Sequence, residues 1–85
     1  IALGVDYESD PAAVIKLLTE VARGHDDILA TPVPNAQFID FGSSALQFKL
    51  FAWTARADRI GAIRSELCVA IHEALKENGV KLATS

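Results

Sequence analysis

The sequence predicts an α+β domain of two layers, in which two helices cover one face of an antiparallel sheet. Three observations support this prediction. Apolar residues alternate near the start and in the middle of the chain, two longer stretches carry apolar residues at helical spacing, and turn-forming residues separate these segments. A length of 85 residues allows one modest core, so we expect a single domain over residues 1–85.

The first two elements are a strand and a helix. Ile1 to Tyr7 alternates between apolar and polar or small residues, as a half-buried strand does. Asp10 and Pro11 then predict a helix start, because aspartate can accept hydrogen bonds from free amides and proline needs no N–H in the first turn. The apolar stripe of this helix is Val14, Leu17, Leu18, Val21 and Ala22. Gly24 is predicted to end it in the left-handed conformation.

Residues 25–35 contain two prolines and predict an extended connection. The stretch that follows, FIDFGSSALQFKLFAW over residues 38–53, predicts a β-hairpin that reverses at Ser43 and Ser44. Directly opposed residues of antiparallel strands share a face. On the core face, the predicted pairs are Phe41 with Leu46, Ile39 with Phe48, and Gln37 with Leu50.

The opposite face of this hairpin is predicted to carry Phe38, Phe51 and Trp53 among polar residues. A sheet face left to solvent is normally polar, and exposed apolar patches usually mark contact surfaces. We therefore expect these three aromatic residues to lie in an interface with another protein surface.

A second helix is predicted from about Arg59 to Asn78, followed by a short edge strand over Val80 to Leu82. Its apolar stripe consists of Ile60, Ile63, Leu67, Ala70, Ile71, Ala74 and Leu75. The complete order is strand, helix, strand, strand, helix and short strand. Two helices that bury their stripes on one antiparallel sheet form the ferredoxin-like βαββα(β) sandwich.

Arginine side chains gather near the start of the second helix, at Arg56, Arg59 and Arg64. Positive charge is unfavourable at a helix N-terminus, so acidic partners elsewhere are one explanation, including ion pairs between subunits. A solvated helix face is the alternative, and it is the favoured explanation. We include Arg56 and Arg59 among the expected interface residues.

Several function classes find no support in the sequence. A net charge of −3 argues against nucleic-acid binding, and the lone Cys68 cannot close a disulfide within the chain. Asp6, Glu8 and Asp10 share one side of an extended segment, but Asp10 is already assigned to capping, and His25 with Asp26 and Asp27 lacks a metal-ligand spacing. No phosphate-binding glycine pattern or nucleophile motif occurs. We predict no catalytic, cofactor-binding or metal-binding residue, and no enzyme.

Five short motifs together carry a resemblance to a known family. They are Tyr7 to Pro11, Pro32 to Pro34, Phe41-Gly42, Leu46 to Trp53, and Arg64 to Leu67. With these motifs the chain resembles the C-terminal α/β domain of the MscS-type small-conductance mechanosensitive channels. It departs from the family pattern at Ser43 and Cys68, where Asp and Asn are usual, and at residues 83–85, where Ile-Pro-Phe-Pro usually follows.

The resemblance implies that the chain is a piece of a longer membrane channel, as do a start within a predicted strand and the absence of methionine. Seven copies would form a hollow cage on the cytoplasmic side of the bacterial inner membrane, through which solutes pass during hypo-osmotic shock. The implied partners are the other subunits and an upstream β-rich domain, and only missing N-terminal segments would enter the membrane. The alternative is a ferredoxin-like regulatory domain that senses a small molecule.

Overall fold

A computed structural model describes residues 1–83 of the chain. The elements are β1 (Ala2–Val5), α1 (Pro11–Arg23), β2 (Asn35–Phe41), β3 (Leu46–Phe51), a 3-10 turn (Ala57–Arg59) and α2 (Ile60–Glu77). The three strands form one antiparallel sheet in the order β1-β3-β2. The predicted α+β architecture is confirmed, with both helices packed on the same sheet.

The hydrophobic core lies between the sheet and the helices. The alternation predicted for β3 is confirmed, because Leu46, Phe48 and Leu50 are buried whereas Gln47, Lys49 and Phe51 are exposed. Among residues 1–83, no polar or charged residue is buried. The core cluster consists of Val5, Val14, Leu18, Ala22, Ala36, Leu46, Phe48, Leu50, Ile71 and Leu75.

Helix α1 begins as predicted and ends differently. The Asp10 side chain accepts a hydrogen bond from the Ala12 amide at 3.1 Å, and Pro11 occupies the first helical position. Gly24 was predicted to be left-handed, which is wrong, because its φ is −78°. The amides of Gly24 and His25 instead donate to carbonyls of the last turn, so the helix closes without a left-handed residue.

Removal of this N-terminal cap gives a first testable prediction. Asp10→Ala is expected to lower the free energy of unfolding by about 1 kcal/mol, because it leaves a helix amide without its acceptor. Asp10→Asn is the matched control, since asparagine caps about equally well and is expected to retain most of the stability. Urea denaturation of both variants measures the difference, and equal losses would show that the carboxylate charge, rather than the capping bond, is what matters.

The hairpin register is correct at the turn and wrong farther along. Phe41 pairs with Leu46 as predicted, and the Gly42 amide donates to the Ala45 carbonyl at 2.7 Å. A Cβ on Gly42 would lie 2.8 Å from that carbonyl oxygen, so the tight turn requires glycine. Beyond the turn, the pairing shifts by one residue between Phe38 and Asp40.

This shift is a β-bulge that leaves Ile39 as the extra residue of β2. Phe48 therefore pairs with Phe38 rather than Ile39, and Leu50 pairs with Ala36 rather than Gln37. The physical reason for this shifted register is that the predicted register would bury the amide side chain of Gln37 without hydrogen-bond partners, which costs free energy. The bulge places the small, buried Ala36 in the core and leaves Gln37 exposed.

The end of α2 follows the prediction, whereas β1 and the last edge strand are shorter than predicted. Helix α2 runs over Ile60–Glu77 and is followed by Gly79, whose φ of 71° is left-handed. Strand β1 is shorter than predicted and stops at Val5. The predicted edge strand over Val80 to Leu82 is reduced to one bridge between Leu82 and Val5. Two hydrogen bonds flank this bridge: the Lys81 carbonyl accepts from the Asp6 amide, and the Ala83 amide donates to the Gly4 carbonyl.

Candidate functional site

Two of the predicted interface residues are exposed at the end of β3. Phe51 is the last residue of that strand, and the alternation places it on the outer face of the sheet, which we define as the face away from the helices. Trp53 follows two positions later. Their exposed fractions are 41% for Phe51 and 42% for Trp53, which is high for large aromatic residues. This end of the sheet therefore presents apolar surface that no described element covers fully.

Phe38 was assigned to the outer face, and that assignment is wrong. Because of the bulge, Phe38 shares the core face with Phe48 and is half-buried. Its ring stacks on Phe48 at a centroid distance of 5.1 Å and meets Phe41 edge-on at 5.0 Å. Phe38 thus links the core to the end of the hairpin.

The C-terminal end of β2, next to the hairpin turn, carries exposed apolar residues whose exposure sequence reasoning missed. Phe41 is 70% exposed although it was predicted to lie on the core face, and the bulged Ile39 is also exposed. Phe41 does lie on the side of Leu46, but it is at the last position before the turn. The position of Phe41 directly before Gly42, at the predicted turn, was the signal in the sequence that could have indicated its exposure.

The arginines near α2 have acidic partners within their own chain. Arg56 Nη2 lies 3.2 Å from Asp58 Oδ2 in an exposed pair, and this hydrogen bond lowers the pKa of Asp58 from its ordinary value. Arg59 Nη2 lies 2.8 Å from Glu66 Oε2, and Arg59 Nη1 also contacts Asp27 Oδ2. For Arg59, the structure therefore fits the explanation by acidic partners, which lie within the same chain, rather than a solvated helix face.

The two Arg59 contacts belong to a network of four residues, which we call the ion-pair network. Its members are His25, Asp27, Arg59 and Glu66. His25 Nε2 lies 2.7 Å from Glu66 Oε1, and the Asp27 amide donates to His25 Nδ1 at 3.0 Å. The hydrogen bond from His25, together with Arg59, holds the pKa of Glu66 below its ordinary value. The network ties the connection after α1 to the first half of α2.

Sequence reasoning considered His25 and Asp27 as candidate metal ligands and did not anticipate that both are half-buried. The ion-pair network was missed because its members come from separate segments. His25 and Glu66 are 41 positions apart, and Asp27 and Arg59 are 32 apart. No local spacing in the sequence brings such residues together.

No site for a metal or cofactor emerges in the part of the chain that the structure describes. Residues 1–83 contain no group of three His, Cys, Asp or Glu side chains placed to hold a metal ion. Asp6 and Asp10, which the sequence brought into question, instead accept hydrogen bonds from the amides of Glu8 and Ala12. Both carboxylates therefore stabilise the turn and the helix start.

An apolar groove lies between the end of β3 and the first half of α2. Its lining includes Ile28, Ala52, Ile60, Ile63 and Leu67, and its volume is about 170 Å³. Small-molecule sites usually measure about 300 to 1,000 Å³ and include a few converging polar groups. Larger depressions of about 360 and 480 Å³ lie near Gly79 and Lys81. No buried polar side chain within residues 1–83 faces any of these spaces, so the small-molecule-sensing alternative gains no support.

Comparison with known proteins identifies the family. The model of the family described as "Mechanosensitive ion channel MscS, C-terminal" matches residues 1–82. The chain belongs to the MscS family. This MscS C-terminal domain is 31% identical over 83 residues to an uncharacterized MscS family protein of Haemophilus influenzae, and 34% identical over 79 residues to a small-conductance mechanosensitive channel of Helicobacter pylori. The family is one of mechanosensitive channels and is not a known enzyme family.

Solved structures agree with this assignment. The MscS C-terminal domain superposes, over the whole length of the present chain, on the closed-state crystal structure of Helicobacter pylori MscS with a TM-score of 0.91 and 32% identity. A cryo-EM structure of AtMSL1 matches with a TM-score of 0.72 over 99% of the chain, but at 12% identity it supports the fold alone. The predicted fold and family are confirmed.

The chain accounts for only part of these proteins. It spans 8% of the Haemophilus protein, 29% of the Helicobacter channel and about a third of each solved chain. Among residues 1–83, neither helix is both long and apolar enough to cross a lipid bilayer.

Proposed function

We propose that this domain builds part of the wall of a cytoplasmic cage beneath a mechanosensitive channel pore, and that solutes released on hypo-osmotic shock pass through this cage. The parent polypeptide would be longer, with membrane helices and a β-rich domain before this segment, and it would lie on the cytoplasmic side of the bacterial inner membrane. Seven copies would surround the cage. Membership of the MscS family supports this proposal.

The single observation that carries the assembly role is the exposure of Phe51 and Trp53. Roughly two-fifths of the surface of each of these two large aromatic residues is exposed to water. Covering that surface would contribute roughly 3 to 5 kcal/mol of hydrophobic stabilisation, at about 25 cal/mol per Å². A monomer that leaves this surface uncovered forgoes this contribution, so a neighbouring subunit or the β-rich domain is the natural occupant.

The other predicted interface residues have different places in this proposal. Arg56 lies in the turn that follows Trp53, and its exposed pair with Asp58 leaves it at the rim of the contact. Phe38 and Arg59 have partners within their own chain. We therefore centre the proposed interface on Phe51 and Trp53, with Phe38 supporting the sheet and Arg59 the connection beside it.

A negative charge introduced at Phe51 or at Trp53 tests the assembly role. In the full-length parent protein, Phe51→Asp or Trp53→Asp is expected to reduce the oligomeric fraction at least tenfold, because a carboxylate would have to be desolvated in the contact. Native mass spectrometry of the purified channel measures the oligomer. Thermal unfolding of the 85-residue chain is expected to change much less, since both side chains are already partly in water.

Val69→Asp is the matched control for this experiment. Val69 is an exposed apolar residue of α2, in the helix layer, and the substitution introduces the same charge. It is expected to leave the oligomer intact. Unchanged assembly in both aromatic variants, or equal loss of assembly in the Val69 variant, would contradict the proposed interface.

A further inference from the structure

Both ring nitrogens of His25 are engaged, and their partners specify one tautomer. A backbone N–H can only donate, so the Asp27 amide, 3.0 Å from Nδ1, requires that Nδ1 be an acceptor without a proton. The hydrogen must then lie on Nε2, which donates to Glu66 Oε1 at 2.7 Å. The geometry therefore fits neutral imidazole with its hydrogen on Nε2, and His25 is only 15% exposed.

Protonation of His25 would break one of these two contacts and strengthen the other. The added proton would lie on Nδ1 and face the Asp27 N–H, so two donors would oppose each other. The contact with Glu66 would become a charged pair and keep the ring on α2. The backbone at Asp27 is thus the part that must move.

The charged groups around His25 come from two segments. Helix α2 contributes Glu66, and Arg59 just before that helix holds both Glu66 and Asp27. Asp26 and Asp27 belong to the segment of His25 itself. The contact between Arg59 and the Asp27 carboxylate would keep the Asp27 side chain in place while its amide is displaced.

The same connection is bonded to the backbone of Trp53. The Leu29 amide, two residues after Asp27, donates to the Trp53 carbonyl at 2.8 Å, and the Ile28 amide donates to the His25 carbonyl at 3.2 Å. A displacement at Asp27 therefore reaches Trp53 through three consecutive residues. Trp53 is the only tryptophan of the chain, so its surroundings can be observed directly.

We propose that His25 is a pH-sensitive latch: in its neutral form it holds the connection between α1 and β2 through the Asp27 amide, and on protonation it releases that amide and alters the surroundings of Trp53. Histidine is the side chain that ordinarily changes charge between pH 5 and 8. Because the pKa of Glu66 lies below its ordinary value, that residue remains ionised throughout this range and anchors the ring in both states.

Tryptophan fluorescence of the 85-residue chain tests the latch. Between pH 8 and 5.5, the wild-type protein is expected to show one transition in emission. His25→Asn is expected to abolish it, because the asparagine oxygen can still accept from the Asp27 amide but does not titrate. His72→Asn, which removes the only other histidine, is expected to retain the transition. A flat wild-type titration, or a transition that persists in His25→Asn, would overturn the proposal.

NMR of the wild-type chain gives a second test that needs no variant. At pH 8, the imidazole nitrogen shifts of His25 are expected to report the tautomer with hydrogen on Nε2. On acidification, the Asp27 amide proton is expected to move upfield as it loses its acceptor. Hydrogen on Nδ1 at pH 8, or a stationary Asp27 amide while His25 titrates, would refute the latch. Both readouts use the isolated chain, so they can fail independently of the proposed cage function.

Discussion

Phe48→Ala is expected to lower the free energy of unfolding by about 3 to 5 kcal/mol. Phe48 lies in the middle of β3, is 1% exposed and stacks on Phe38, so its removal leaves a cavity in the core cluster and takes away an aromatic contact. A domain of this size has a total stability of only about 4 to 13 kcal/mol. Urea denaturation at low temperature, with sucrose added if the variant is partly unfolded, measures the loss.

Phe51→Ala is the matched control for Phe48→Ala. It removes the same side chain from the same strand, three positions later, where the ring lies on the outer face. We expect the loss of stability to be less than half of that for Phe48. Equal losses would mean that Phe48 and Phe51 do not lie on opposite, buried and exposed, faces of β3, and the proposed interface would then lose its basis.

Leu75→Ala is expected to lower the free energy of unfolding by about 2 to 5 kcal/mol. Leu75 is almost fully buried near the C-terminal end of α2 and belongs to the core cluster, to which α2 otherwise contributes only Ile71. The truncation would therefore weaken the attachment of α2 to the sheet. Chemical denaturation followed by far-UV circular dichroism measures the change.

Val69→Ala tests whether this loss comes from burial. Val69 lies on the same helix, six positions earlier, and is 60% exposed. Because surface substitutions usually change stability by no more than about 0.5 kcal/mol, we expect little effect. A loss at Val69 as large as that at Leu75 would show that the exposed side of α2 contributes to folding in a way that the described contacts do not explain.

The elements that sequence reasoning located correctly depend on short-range rules. Asp10 and Pro11 start α1 because a cap and its amide lie two residues apart. The buried and exposed residues of β3 alternate because successive side chains of a strand point to opposite faces. The exposure of Phe51 could be predicted in the same way, without knowledge of any distant residue.

The errors arose where distant residues compete for the same space. The bulge at Ile39 reflects a choice between Ala36 and Gln37 for the position opposite Leu50, and only the finished core penalises the amide. Phe38 changed faces for that reason. Gly24 is a different case, because its right-handed conformation accompanies local hydrogen bonds from the amides of Gly24 and His25 to carbonyls in the last turn of α1.

The amino-acid sequence by itself determined the α+β class, the helix starts, the alternation of β3 and the family resemblance, because each depends on neighbours within a few positions of the chain. Only the tertiary structure decided the register of β2 and the partners of His25 and Arg59. His25 meets Glu66 from 41 positions away and Arg59 meets Asp27 from 32 positions away, whereas the register of β2 depends on which of its side chains the closed core accepts opposite Leu50. No local pattern in the sequence records either outcome.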